Sequence, residues 1–410
     1  MSALKDQPAL MIPQRFFKPF LFSVLSALFV EVQAQPELDF YTGKALFEKN
    51  WIAAPASTTA SDGLGPYYNA RSCNQCHPDG GRGSKEQSLV VHSNDPVYGQ
   101  QLQKFAIPGI PLEARVVFDA NHENNYEDNY EDNYEDSFQV VDLHYGELKN
   151  SALSARLAPS LYGLALLESI PESVINDLAD EEDRNGDGIS GRVNLVADES
   201  GNLIPGRFGW KAGQTSLVQQ VARALSLDLG LGNPLVASPF GDCTNAQSPC
   251  LTAPDGNSLH HDNLEASETV LSLLLSYLSG LPAPSQENAQ HPAVQRGQVL
   301  FNQAGCSDCH LPEIVFEGRV LQPYSDLLLH DMGPGLADEL QEGIAAGNEW
   351  RTPPLWGLGQ LNGEYLHDGR ADTLETAIFW HDGEAAKAKR EYERLTEAQR
   401  SDVNAFLDSL

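Results

Sequence analysis

Methionine is almost absent from this 410-residue chain, which has it only at positions 1, 11 and 332. Any thioether that holds a metal beyond the first few dozen residues must therefore come from Met332. Cysteine is scarce too, with six in all, too few for a disulfide-stapled scaffold of this length. Cationic side chains are outnumbered, 26 Lys and Arg against 57 Asp and Glu, for a formal net charge of −31. That balance disfavours a sequence-independent grip on nucleic acid or anionic lipid and leaves a basic or neutral protein partner open, although solubility alone also accounts for it. Long apolar runs are missing: after residue 30 no stretch reaches the roughly 20 apolar residues a membrane helix needs, so no span is expected in the mature chain.

What is present is a globular composition, 41% apolar with 34 Gly and 25 Pro, in a length that suggests two domains or one heavily inserted domain. At the N-terminus, Arg15 and Lys18 precede the apolar run 20–30, and Val32-Gln33-Ala34 ends in a residue suited to signal peptidase. Residues 1–34 are expected to be a signal peptide and the protein to be exported.

The cysteines fall into three local pairs. Cys73 and Cys76 are followed by His77, and Cys306 and Cys309 by His310; both fit Cys-x-x-Cys-His, the attachment site of a c-type haem. The spacing suits the chemistry, because two thiols on one short turn can add to the two vinyl groups of a porphyrin while the adjoining imidazole reaches the iron. A structural zinc would want four ligands, and each pair brings one adjacent histidine. A thioredoxin-like redox pair would not explain why His77 and His310 both trail directly. Two covalent haems are the expectation. Cys243 and Cys250 have no histidine and, in an exported chain, are expected to form a local disulfide.

A repeat surrounds the haem motifs. Gly-x-x-Leu-Phe occurs at Gly43–Phe47 and Gly297–Phe301, and Tyr277, Leu278 and Leu281 correspond in pattern to Phe406, Leu407 and Leu410. Val403, Phe406, Leu407 and Leu410 recur at helical spacing behind a Thr396–Gln399 capping box. Paired helices flanking a haem motif predict a mainly α fold of two cytochrome c-like domains in tandem. The first spans 35–281 and carries large loop-rich insertions, 282–292 is a Pro-rich linker, and 293–410 is the second domain. Within the insertions, the threefold Asn-Tyr-Glu-Asp of 125–136 reads as a solvated loop. In 183–194, Asp183, Asn185 and Asp187, with the backbone of Ile189 after Gly188, are spaced as calcium ligands. Asn194 stands where such loops carry glutamate, and a self-capping Asx turn is the alternative.

With both haems placed, the segments "RFGWKAGQ" (207–214), "PYSDLLLHDMGPGLAD" (323–338), "EWRTPPLWGLG" (349–359) and "YLHDGRADTLETAIFWHDGEA" (365–385) resemble the bacterial di-haem oxidoreductase family once labelled thiol oxidoreductase. That family is similar to di-haem cytochrome c peroxidases and to the di-haem enzyme that matures the tryptophan-derived cofactor of methylamine dehydrogenase. The resemblance implies a periplasmic peroxidase-like oxidoreductase, with the His77 haem as oxidant site and the His310 haem for electron transfer. Its expected partners are hydrogen peroxide or another oxidant and a donor such as a small cytochrome or cupredoxin. Trp210, Trp350 and Trp356 become candidate aromatic bridges, and Arg351 and Arg370 candidate propionate anchors. In the related peroxidases the stretch similar to Tyr365–Gly369 holds a methionine ligand, a place taken here by Leu366. The second iron's other ligand is then Met332, or else His330 or His367. Glu168 and His367 are the candidate catalytic groups, although a glutamate after two leucines can simply end a helix. His92, His144 and His381 are possible distal groups; His122, His260, His261 and His291 read as solvated or capping. The alternatives are a non-catalytic electron-transfer cytochrome, or a redox enzyme acting on a protein partner or a thiol.

Overall fold

The structure, a computed structural model, describes residues 35–58, 60–118, 138–150 and 152–410. The expected signal peptide, the tyrosine-rich acidic repeat and His122 lie outside the described residues.

Two helix crossings organise the chain. Residues 35–48 are helical and pack on the helix Glu268–Ser279, and Pro292–Gln303 packs on Glu397–Leu407. Each crossing is built on the glycine of a Gly-x-x-Leu-Phe repeat. A Cβ on Gly43 would lie 2.0 Å from the carbonyl oxygen of Leu273, and one on Gly297 would lie 1.9 Å from that of Asp402. Only a residue without a side chain lets the backbones approach so closely. The phenylalanine four positions on then meets an aromatic ring of the partner helix: Phe47 and Tyr277 have centroids 5.1 Å apart, Phe301 and Phe406 5.3 Å. The correspondence of Tyr277 with Phe406 is thus one of packing position. The capping box at Thr396 and Gln399 forms as the spacing predicts.

The expectation of a mainly α fold is not met. Of the described residues 33% are helical and 15% strand, mixed with many small sheets. Much of what reads as loop between the first motif and its closing helix forms antiparallel ladders. Val90–Asp95 pairs with Gly99–Leu102 and with Ser154–Arg156, Arg115–Phe118 pairs with Phe138–Val141, and Leu195–Ala197 pairs with Leu203–Pro205. Beyond the linker, Ile314–Phe316 pairs with Arg319–Leu321 and Leu329–Asp331 with Glu349–Arg351. The cause is local: short runs such as Val90-Val91, Val116-Val117 and Val140-Val141 favour the pleated conformation, where β-branched side chains pack well.

The larger apolar core gathers Phe47, Trp51, Leu167, Ile175, Leu225 and Leu274, and Ile314, Phe316, Leu321, Leu327 and Leu328 from beyond the linker join it. A second core surrounds Phe301, Tyr392, Phe406 and Leu407. Cys243 and Cys250 form the expected disulfide, and the other four cysteines are free thiols. No helix of the described residues is long and apolar enough to cross a membrane.

Candidate functional site

Both Cys-x-x-Cys-His motifs open onto one cavity of about 800 Å³, lined by Cys73, Cys76 and His77 and by Cys306, Cys309 and His310. This lies toward the upper end of the size range of cofactor pockets. The first motif forms the short helix Cys73–Cys76, and the second the 3-10 turn Cys306–Asp308 that follows Pro292–Gln303.

The two motif histidines are oriented alike. His77 donates from Nδ1 to the carbonyl of Pro159 at 2.9 Å, and His310 from Nδ1 to the carbonyl of Tyr324 at 3.0 Å. A carbonyl only accepts, so the proton of each neutral ring sits on Nδ1 and the lone pair on Nε2. Burial pushes both imidazoles down to about 4, keeping them neutral. A neutral imidazole whose far nitrogen is held by a backbone oxygen is the usual form of a metal-binding histidine. Burial pushes the Cys73, Cys76 and Cys306 thiols up to about 12, away from the thiolate that a redox-active dithiol needs. Among the described residues, Cys309, Asp326 and His330 are the group whose ligand atoms come within 4.8 Å of one another, and three ligands fall short of a structural zinc site.

The cavity walls suit an anionic macrocycle. Arg82, Arg207 and Arg351 line the cavity. The Nε atoms of Arg82 and Arg207 are buried without a hydrogen-bond partner. Burial lowers Arg82 and Arg351 to about 10, far above neutrality, so each presents a positive charge to a carboxylate. The four thiols, the two oriented imidazoles and these orphan donors fit two haems.

One stretch of the wall is polar. His92 lies on the strand Val90–Asp95, in register with Gln101 on one side and Ser154 on the other, and lines the cavity with Gln101, Arg156, Arg223 and Glu342. Burial, with Arg156, pushes His92 down to about 3, so it is neutral. Burial works to raise Glu342, but the Arg156 guanidinium, 2.6 Å away, outweighs it and holds the carboxyl at about 2. Arg156 also pairs with Asp338 at 3.1 Å. Asp338 in turn belongs to a cage around the fully buried Lys211 ammonium, which donates to Asp338 Oδ1 and to the carbonyls of Leu340, Ala346 and Gly347. The segment 338–347 that carries Glu342 is thereby wrapped around a cation from the other half of the chain. None of these residues sits in a local pattern. Arg156 and Glu342 are 186 positions apart, and no sequence window joins them.

The remaining candidates are placed as follows. Met332 and His367 line the cavity. His367 stacks on Trp350 with centroids 3.7 Å apart, and burial pushes it down to about 3. His330 lines the cavity with both ring nitrogens engaged, Nδ1 with Glu384 and Nε2 with Asp326, each at 2.8 Å. Burial opposes its charge, but the Asp326 and Glu384 carboxylates raise it well above the usual histidine range. Glu168 is exposed and outside the cavity lining; its Oε1 accepts the N–H of Leu217 at 2.7 Å, at the start of the helix Leu217–Leu229. Trp210, Trp350 and Trp356 all line the cavity. Arg370 is committed to Asp368 at 2.6 Å and to the carbonyl of Gly335, while Arg351 is on the wall. In the Asp183–Ile189 loop the carboxylates accept the loop's own N–H groups: Asp183 from Gly188, and Asp187 from Ile189. Asn185 donates to Asp187. Asn194, at the twelfth position, is buried, accepting from Ile344 and donating to Lys211 and Glu342 carbonyls.

Paired thiols beside carbonyl-oriented imidazoles, twice on one cavity, define a di-haem redox protein. The chain belongs to the di-haem oxidoreductase family: residues 30–126 and 115–410 match the family described as "Di-haem oxidoreductase, putative peroxidase". A comparison with curated proteins finds no match. Among solved structures the chain is similar to the hydrazine synthase of Kuenenia stuttgartiensis, pressurised with xenon, at 23% identity and a TM-score of 0.27, over 36% of this chain and 57% of that one. It thus spans a little over half of that chain. It is also similar to a MauG-like protein associated with microbial copper homeostasis, at 17% identity and a TM-score of 0.31, over 59% of this chain and 90% of that one.

Proposed function

We propose that this chain is an exported, periplasmic c-type oxidoreductase with peroxidase-like chemistry. The observation that carries the reading is that His77 and His310, each beside two thiols and each held by a carbonyl at Nδ1, share one cavity. In this reading Cys73 and Cys76 bind one porphyrin through thioether bonds and Cys306 and Cys309 the other, with His77 and His310 as iron ligands. When bound, the two haems supply the paired one-electron steps that peroxide reduction demands, the His77 haem as oxidant site and the His310 haem as relay.

The chain's own residues do the rest. Arg82, Arg207 and Arg351 hold propionates through charge-assisted hydrogen bonds. His92, neutral and on the polar wall, takes a proton from one peroxide oxygen and returns it to the oxygen that departs as water. Arg156 and Arg223 favour the negative charge that develops there. Glu168 faces solvent, its Oε1 accepting the N–H of Leu217 at the start of a helix, and has no role in this reading. Hydrogen peroxide, two protons from solvent and two electrons from a donor protein yield two waters. A small cytochrome or cupredoxin suits the donor role.

The test is a peroxide titration of protein produced with its N-terminal segment in a host that matures c-type haems. Two haems that stay attached on denaturation, a high-spin ferric signal and reoxidation of the reduced protein by peroxide are expected. Two low-spin irons indifferent to peroxide would leave an electron-transfer cytochrome, and a chain without bound tetrapyrrole would remove the reading altogether.

A further inference from the structure

Six histidines line the cavity: His77, His92, His310, His330, His367 and His381. Two are the motif imidazoles. Of the others, His330 has both nitrogens on carboxylates, His367 is pressed face to face on Trp350 with Nε2 3.5 Å from Asp368, and His92 belongs to the polar wall. His381 differs from all of these. It follows the helix Leu374–Phe379 and donates from Nδ1 to the carbonyl of Ala377 at 2.8 Å, while its backbone N–H is tied to Ile378. The proton is therefore on Nδ1 and the lone pair on Nε2, the same arrangement that orients His77 and His310.

The surroundings of His381 belong to the second motif. Ala377 and Ile378, from the helix that positions it, line the cavity together with Phe301 and Leu407 from the second helix crossing. Ala377 and Ile378 also pack in one apolar core with Phe301 and Cys306, which sets His381 on the side of the cavity that the second motif opens onto. Met332 reaches the same cavity, but a thioether has no second polar atom by which a backbone group can aim it. A pre-oriented imidazole loses less freedom on binding a metal than a flexible thioether does.

We infer that His381 supplies, through Nε2, the second axial ligand of the haem held at Cys306, Cys309 and His310, making it a bis-imidazole electron-transfer centre. The inference rests on the proposed presence of haem but not on peroxidase activity. A second imidazole in place of a thioether gives the iron a lower potential, and filling both axial positions closes it to peroxide. The oxidant role then falls to the haem at His77.

The experiment is near-infrared magnetic circular dichroism and EPR of the ferric holoprotein, on the wild type and on His381→Ala, His381→Met and Met332→Leu. Haem content per chain is measured for each to show that the variant has folded and been loaded. The wild type is expected to show a low-spin imidazole–imidazole signature. His381→Ala should convert that signal to high spin and recover it on adding free imidazole, His381→Met should replace it with an imidazole–thioether signature and a raised potential, and Met332→Leu should leave it unchanged. An imidazole–thioether signature in the wild type that Met332→Leu abolishes would overturn the assignment, as would a His381→Ala protein with the wild-type spectrum. A wild-type bis-imidazole signature lost in His381→Ala, in a protein that does not react with peroxide, would uphold the ligand while defeating the catalytic reading.

Discussion

At His92 a neutral imidazole, two guanidinium groups and an ionised glutamate meet on the cavity wall. If His92 moves the proton, His92→Leu should slow both peroxide turnover and cyanide association with the ferric protein by about a hundredfold or more, since a positioned base contributes on the order of 10²–10⁴. Haem content should not change. Stopped-flow mixing with cyanide checks this, and an unchanged rate would return His92 to a structural role. Glu168→Ala is the contrasting variant: it should leave both rates alone and cost about 1 kcal/mol in urea denaturation, the worth of one capping hydrogen bond. A third residue sets a pH dependence. Burial raises the Glu265 carboxyl to about 7, against the lowering effect of the Gly232 and Gly256 N–H groups. Between about pH 4.5 and 7 the folded state therefore holds a proton that the unfolded state has released, and stability falls as pH rises. Glu265→Gln should flatten the slope of Tm against pH across that window; a slope identical to the wild type would contradict the raised value. The haem-motif histidines were legible in the sequence because their spacing is local. Their orienting partners were not, because Pro159 lies 82 positions from His77 and contributes only a backbone oxygen, which no side-chain pattern records.

Among the elements, the two helix crossings were the most legible, because a glycine and a phenylalanine four positions apart repeat in both halves and the packing uses both residues. Gly297→Ala puts a methyl against the backbone of Asp402 and should destabilise by about 1–3 kcal/mol through forced backbone shifts. Phe301→Ala, which empties the centre of the second crossing, should cost about 3–5 kcal/mol. Chemical denaturation of the two variants checks both, and values below half a kcal/mol would mean that the crossing contributes little to stability. The strands were missed for a physical reason. Each sheet is two or three strands of a few residues, and segments that short fix their pairing by tertiary contact more than by propensity. The Asp183–Ile189 loop shows the converse, since its spacing suits a cation and its own N–H groups alike, Gly188 donating to Asp183 and Ile189 to Asp187.

For the molecule as a whole, the formal charge of −31 bears on the proposed electron donor. Association with a basic cytochrome should be fast at low salt and should slow steeply as ionic strength rises, while an acidic donor should show the opposite trend. Rates that ignore salt would mean that docking is apolar. The two halves are also joined more closely than the Pro-rich linker suggests. Arg82, just after the first motif, donates to the carbonyls of Glu364 and Leu366, and Leu157 donates to the carbonyl of His367. Lys211 makes a further such joint, its ammonium gathering four oxygens as a small monovalent ion would. This ion is part of the polypeptide. No chelator can strip it and no change in the surrounding salts can exchange it, so the wall that carries Glu342 keeps its set in media of very different ionic make-up.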